Sequence, residues 1–423
     1  MKLDELKNKK ILILGFGKEG RDTFKFLKRL FLKKKIAVAD VKFSKNYLKA
    51  IENHDVIIKA PGVPIHIPEV EKAYRKGKIT SQTELFFDNC QGLIVGITGT
   101  KGKGTTASLI YKILKEAGFP VYLVGNIGKP VLNFLLSDKP KKIYVYELSS
   151  HQLFGLKKSP QTAVFLNIFP DHLDYFKDFK EYILAKSNIV KHQEENDCLI
   201  YNYQDKIIRK IAAKSKAKRI PVKNYSKILK YLEIEKPPLS LLGNHNLLNI
   251  AVAIKVAQIF KIPKAKIAKA IKKFTSRTHR LEYAGKFQGI EFFNDSASTI
   301  PESTLAALEA LGDRVETILL GGSEKGTDFN HLAKRILKSK IKSVILFPPT
   351  GPRIWKTILK HQGNMEKLNH FFVDNMADAV KLSYSRTAPS KICLLSPASA
   401  SFGIFKDYRQ RGDLFKKWVK LYG

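Results

Sequence analysis

The chain has 423 residues, room for about three domains of ~150 residues each, and its 44% hydrophobic and 27% charged content is that of a protein that folds in water. No apolar run approaches the ~18 residues of a membrane span, and the N-terminal Ile11-Leu12-Ile13-Leu14 is cut short by Gly15-Phe16-Gly17 before a secretory segment could form. A formal charge of +37 invites a nucleic-acid reading, but the lysines are spread over the whole length without aromatic interleaving or a basic tail, which describes a solvated surface with nonspecific affinity for polyanions.

Cys90, Cys198 and Cys393 lie far apart and form no CxxC pair, so no zinc ribbon or disulfide framework is expected and a reducing cytoplasm fits. The elements that follow predict an α/β protein of three domains, over residues 1–91, 92–276 and 277–423.

Residues 10–20 read as a strand running into a tight turn, with Gly15-Phe16-Gly17-Lys18-Glu19-Gly20 matching G-x-G-x-x-G. A helix is expected over 21–31, and a strand over 36–39 ends in Asp40. That spacing places a diphosphate on a helix N-terminus and a carboxylate near a ribose. It fits NAD in an oxidoreductase and equally a UDP-sugar, and the fingerprint does not separate the two. A third strand at 55–59 runs into the rigid loop Ala60-Pro61-Gly62-Val63-Pro64.

A buried strand over 93–97 is followed by Thr98-Gly99-Thr100-Lys101-Gly102-Lys103-Gly104-Thr105-Thr106 and a helix over 107–117. Strand, glycine loop and helix bring backbone N–H groups and the positive helix end to one point, where Lys103 adds a charge suited to a triphosphate. The loop departs from G-x-x-x-x-G-K-[ST], with Ile97 at the first glycine and Gly104 at the hydroxyl position, which leaves Thr105 or water to complete a magnesium site.

Strands at 121–124, 143–146 and 163–166 each end in polar residues: Gly125 to Gly128, Glu147 to Leu153, and Asn167 to Asp174. In a parallel sheet these ends share an edge with the phosphate loop. Glu147, His172 and the later Lys186 are the candidates for chemistry there: a carboxylate and an imidazole for metal ligation or general-base work, and a lysine that could ligate only as a carbamate. A capping histidine and a solvated lysine are equally good readings of single positions. Residues 195–240, strongly basic over 206–219, read as a peripheral part of the middle domain. Three further strands, 317–320, 344–347 and 392–395, alternate with helical patterns in the last domain.

Taken together, Gly99-Thr100-Lys101-Gly102-Lys103, Glu147-Leu148-Ser149-Ser150, Asn167 to Asp174, Ala185-Lys186, Gly243 to Asn249, Thr278-His279-Arg280-Leu281-Glu282, Ser396 to Phe402 and Phe405 to Asp413 resemble the Mur ligases, ATP-dependent amide-forming enzymes of peptidoglycan precursor synthesis. The resemblance spans nearly the whole chain. It implies a Rossmann-like first domain, a central P-loop ATPase with a mostly parallel sheet, and a Rossmann-like last domain.

It further implies that the first turn takes UDP rather than NAD, through Gly17, Lys18, Glu19, Asp40 and Gly62, with Asn126. ATP would be held by Gly99, Thr100, Lys101, Gly102, Lys103, Gly104, Thr105, Asn246, Asn249, Arg280 and Asp295. Mg2+ would be held by Thr105, Glu147, His172 and carbamylated Lys186, with Lys103 and Arg280 also catalytic. The amino acid would meet Lys325, Ser401, Phe402 and Tyr408.

The C-terminal motifs imply UDP-N-acetylmuramoyl-L-alanine and D-glutamate as the substrates joined, through an acyl phosphate, by a monomer without membrane insertion or a specific nucleic acid. Departures from the family pattern are Ala60 for a serine, His151 for a common phenylalanine, and Ala297 and Ile300 for a lysine and an asparagine. The rivals are a family member adding another amino acid or acting on folate, an NAD-dependent oxidoreductase, and a nonenzymatic polyanion binder.

Overall fold

The computed structural model describes Met1 to Gly423 except residues 226, 236–237, 239–240, 242–243, 276–277, 325 and 364–367, and describes only the backbone of 244 and 245. Met1–Glu233 with Leu248–Ile271 forms one compact unit, and Ile234–Leu247 with Lys272–Gly423 a second.

The first unit holds two sheets. One is made of β1 (Ile11–Leu14), β2 (Ile36–Ala39), β3 (Val56–Lys59) and β4 (Ile79–Thr80), in the order β2-β1-β3-β4, with every pair parallel. The runs Ile-Leu-Ile-Leu and Val-Ile-Ile-Lys do not alternate because β1 and β3 are buried along their whole length, as strands covered on both faces must be.

The other sheet contains β5 (Leu93–Thr98), β6 (Val121–Gly125), β7 (Ile143–Glu147), β8 (Thr162–Phe165), β9 (Cys198–Asn202) and β10 (Lys218–Val222). It is ordered β10-β9-β8-β5-β7-β6 and is parallel throughout. Because β7 and β8 flank β5 on opposite sides, the chain reverses its winding there, and a crevice opens at the carboxyl ends of these three strands. The basic stretch after residue 195 supplies β9 and β10, the outermost strands on that side.

The second unit is built on β11 (Glu282–Phe287), β12 (Ile290–Asn294), β13 (Val315–Gly321), β14 (Ser343–Phe347), β15 (Asn369–Phe372) and β16 (Ile392–Leu395). The order is β11-β12-β16-β13-β14-β15, parallel except for the β11–β12 hairpin. Here β16 lies between β12 and β13, so the loops leaving those three strands meet at one edge. Only β13, β14 and β16 read as strands in the sequence. They are buried throughout, whereas β11 and β15 are edge strands with largely exposed or half-exposed residues. Among the described residues no helix is long and apolar enough to cross a membrane.

The helix Lys18–Leu30 begins on the first glycine turn itself, three residues earlier than expected. A Cβ on Gly20 would sit 2.1 Å from the carbonyl oxygen of Gly15, which itself has φ +90°. Gly20→Ala is therefore expected to push the helix off the turn and lower stability by ~2 kcal/mol, as overpacking does. A melting temperature equal to that of the parent would show that the turn yields instead.

Candidate functional site

The phosphate loop is locked from below by the segment after β8. Thr100 N–H donates to the Asn167 carbonyl at 2.9 Å, Lys101 N–H donates to Asn167 Oδ1 at 2.8 Å, and Asn167 Nδ2 returns a bond to the Lys101 carbonyl at 3.1 Å. Thr100 Oγ1 donates to the Phe169 carbonyl and accepts from Phe169 N–H, each at 3.1 Å. Gly102 has φ +85°, and a Cβ there would lie 2.7 Å from Asn249 Oδ1, so the helix Asn244–Ile259 packs where only glycine fits. Asn249 Oδ1 also accepts from Thr106 Oγ1 at 3.0 Å, which gives Asn249 a role in shaping the loop. Asn246 is buried near the start of the same helix.

The helix after the loop starts at Lys103, four residues before the expected start, so Lys103, Gly104 and Thr105 form its first turn. Their N–H groups point out of the helix end, where an anion is favoured. Lys103 Nζ donates to the carbonyls of Gly99 at 2.9 Å and Thr100 at 3.0 Å, which holds the ammonium over the loop.

Lys186, on the helix Phe179–Lys191, is 1% exposed and donates to the same Gly99 carbonyl at 2.9 Å and to Thr98 Oγ1 at 3.4 Å. Burial, and then the charge of Lys103, hold its pKa well below the usual lysine range. His172 has the left-handed φ of +56°, uncommon for a residue with a side chain. Its ring meets that of His151 edge-on, with centroids 4.8 Å apart. Glu147 ends β7 and is 5% exposed, and its Oε2 is buried with no hydrogen-bond partner among the described residues.

Lys103, Asn126, His151, His172 and Lys186 line one cavity of about 240 Å³, walled by Pro61 and Gly62. The sequence reading did not place His151 there. Its only signal was an imidazole where phenylalanine is common, and burial pushes its pKa down to about 4, so it is a neutral ring at neutral pH.

A second cavity of about 530 Å³ lies over the first turn, lined by Gly15, Gly17, Lys18, Glu19, Asp40 and residues 60–64, so that Pro61 and Gly62 face both cavities. Asp40 turns its carboxylate onto the turn: Oδ2 accepts from Phe16 N–H at 2.5 Å and Oδ1 from Lys42 N–H at 2.9 Å. The Phe16 bond, more than the Lys42 bond, holds its pKa below the usual carboxylate range. Lys59, which sequence reasoning passed over as the end of an apolar strand, is 8% exposed and donates to the Val63 carbonyl at 2.9 Å. It also reaches Tyr175 Oη at 3.4 Å, and burial pushes its pKa down to about 8.

In the second unit, Asp295 accepts from Leu281 N–H at 3.0 Å, Ser298 Oγ at 2.5 Å and Ser396 Oγ at 2.8 Å. It is 6% exposed, and burial pushes its pKa up to about 6. Its oxygens thus join three segments of the protein. Arg280 is exposed, Ser401 buried and Phe402 62% exposed, while Tyr408 opens the helix Tyr408–Tyr422. Lys325 lies outside the described residues.

Glu19 is partly buried and accepts from Gln152 Nε2 at 2.7 Å, and burial raises its pKa from 4.5 to about 7. The folded state therefore binds a proton more tightly than the unfolded chain, and the associated stability, complete below pH 4.5, is lost as pH rises through 7. Glu19→Gln escapes this loss. Its stability relative to the parent should be near parity at pH 4.5 and higher by at most ~3 kcal/mol at pH 8. Melting curves at both pH values test this, and a pH-independent difference would show that Glu19 does not titrate in this range.

A family model of the Mur ligase middle domain matches residues 97–257. The chain is 33% identical to a UDP-N-acetylmuramoylalanine--D-glutamate ligase of Acetivibrio thermocellus, across 98% of this chain and 97% of that one. It is 34% identical to the protein of the same name from Clostridioides difficile, across 97% and 98%. Among solved structures, the UDP-N-acetylmuramate-alanine ligase MurC of Thermotoga maritima superposes with a TM-score of 0.60 at 17% identity, covering 98% of this chain and 99% of that one. MurF of the same organism, solved in complex with ADP, gives 0.60 at 16% identity, covering 99% and 97%. At those identities the structures establish the fold, and the sequence relatives the kinship: the chain belongs to the Mur ligase family, among its UDP-N-acetylmuramoylalanine--D-glutamate ligases.

Proposed function

We propose that this chain joins D-glutamate to UDP-N-acetylmuramoyl-L-alanine at the expense of ATP, as a monomer in the cytoplasm, in the supply of peptidoglycan precursors. The observation that supports it best is the convergence of Lys103, His172 and Lys186 on one cavity beside the phosphate loop, in a chain that aligns nearly end to end with ligases of that name. In this reading the domains run over residues 1–91, 92–276 and 277–423.

The chemical problem is that a carboxylate is a poor electrophile. Transfer of the γ-phosphoryl group of ATP to the alanyl carboxylate gives an acyl phosphate and ADP. The amine of D-glutamate then attacks the carbonyl carbon, phosphate leaves, and the nitrogen gives up its proton. Gly99 to Thr105 cradle the phosphates with backbone N–H groups, and the Lys103 ammonium offsets charge that grows on the oxygens in flight. Asn246, Asn249, Arg280 and Asp295 are the further nucleotide residues in this reading, Asn249 also accepting from the Thr106 hydroxyl behind the loop and Asp295 from the Leu281 N–H. Gly17, Lys18, Glu19, Asp40, Gly62 and Asn126 serve the UDP-sugar, and Lys325, Ser401, Phe402 and Tyr408 the amino acid.

The buried, unpartnered Oε2 of Glu147 is an acceptor in want of a cation, and with His172, Thr105 and a carbamylated Lys186 it fits Mg2+. Bound there, the ion would polarise the phosphoryl oxygens. Among the described residues no three His, Cys, Asp or Glu side chains are grouped to hold a metal, which is why the modified lysine matters. Burial, and then the charge of Lys103, push the pKa of Lys186 down, which favours the free amine that would add CO2 to become a carbamate anion with release of a proton.

Lys103→Ala should leave the fold intact and cost ~3 kcal/mol of transition-state stabilisation, about a hundredfold or more in phosphate release with both substrates present. Full turnover in the folded variant would remove the loop from the mechanism. With 13C-labelled bicarbonate, the parent should show a lysine carbamate resonance that is absent from Lys186→Ala. That variant should be inactive, and acetate should restore part of its activity. An active parent with no such resonance would assign the third anion wrongly.

A further inference from the structure

Arg411 is 0% exposed, and among the described residues no carboxylate bonds to its guanidinium. Its partners are oxygens of three separate segments. Nε donates to Ser296 Oγ at 3.0 Å and Nη2 to the Ser296 carbonyl at 2.8 Å. Nη1 and Nη2 both reach the Ser399 carbonyl at 3.2 Å, and Nη1 extends to the carbonyls of Ala400 at 3.3 Å and Gly321 at 3.5 Å. These are the segments leaving β12, β16 and β13, the three strands whose loops meet at one edge of the sheet.

A desolvated cation is costly to keep. Here it is compensated by carbonyl dipoles and by the charge of Asp295, which raises its pKa against the larger lowering by burial. A planar fork of five donors in fixed directions spans the three segments here, with a geometry that the compact ammonium of a lysine does not reproduce.

The surrounding backbone is closed around this group. Ser323 N–H donates to the Ala400 carbonyl and Gly321 N–H to the Pro397 carbonyl, both at 2.8 Å. A Cβ on Gly322 would fall 2.0 Å from Ala400 O and 3.1 Å from Arg411 Nη1. Ser296 Oγ, besides accepting from Arg411, donates to the Tyr408 carbonyl at 2.8 Å. Ser401 and Phe402 follow directly on the clamped carbonyls, and Ser323 Oγ bonds to the Phe402 carbonyl.

We propose that Arg411 is a positioning residue for the amino-acid site: one guanidinium fixes the loops at 296, 321–323 and 399–402 so that the pocket is set before the amino acid arrives. This rests on the reading of those loops as the amino-acid site. The effect on catalysis is indirect, through the placement of Ser401, Phe402 and Tyr408.

The test uses the full chain with Arg411→Lys and the milder Ser296→Ala, which removes only the Nε bond and its relay to Tyr408. Two readouts are taken: KM for ATP, for UDP-N-acetylmuramoyl-L-alanine and for D-glutamate, and amide hydrogen exchange without ligands. The expected result is a KM for D-glutamate raised about tenfold in Arg411→Lys and several-fold in Ser296→Ala, with the other two within about twofold. Exchange should speed up at 321–323 and 396–402 while β13 and β16 keep their protection.

An unchanged D-glutamate KM in the folded variants, or a rise of all three together, overturns the proposal. If Arg411→Lys does not fold, Ser296→Ala decides by the same criteria. If the parent forms no amide with D-glutamate, the functional reading fails, and unaltered loop exchange in the variants would separately reject the brace.

Discussion

One carbonyl oxygen organises the centre of this protein. Gly99 O accepts from Lys103 and from Lys186, each at 2.9 Å, and burial, then the charge of Lys103, pushes the pKa of Lys186 well below the usual lysine range. Both lysines line the same cavity, Lys103 from the first turn of its helix and Lys186 from deeper in the fold, against Tyr182. The same backbone atom thus ties the loop lysine to the lysine of the helix Phe179–Lys191. Gly99, with φ +156° and Leu166 Cβ 3.0 Å from where its own Cβ would stand, is the residue that presents the carbonyl in this way.

Much of this was legible in the sequence because the buried strands announce themselves. Unbroken apolar runs such as Ile143 to Tyr146 are what a covered parallel strand requires, and polar residues placed just after them fall at the carboxyl edge by topology alone. The strands that escaped notice have a physical reason to do so. In β10, Lys218 and Arg219 face solvent at the edge of the central sheet, and β15 ends in an exposed Phe372. Edge strands are free of the pattern that burial imposes.

Roles were harder to read than positions. Asp40 and Asp295 were marked as ligand contacts, and the structure adds a second task to each, Asp40 holding the amides of its own turn and Asp295 two serines and a backbone N–H. A carboxylate after a strand reads alike in either case. Lys59 and Arg411 were missed for the opposite reason. A basic residue in a chain with 75 of them carries no signal, and only burial shows that these two are unlike the rest.

The two cavities of the first unit share Pro61 and Gly62. In the proposed function, a sugar nucleotide whose diphosphate occupied the larger space would cross that common edge to present a carboxylate beside Lys103 and His172. Proline fixes the backbone of the edge, and Lys59 anchors it from below through the Val63 carbonyl. On that reading the crossing would act as a gauge of span: an acceptor one amino acid longer or shorter could still dock its nucleotide while its carboxylate fell at another depth. Order in a stepwise assembly would then be kept by distance, before any recognition of the incoming amino acid.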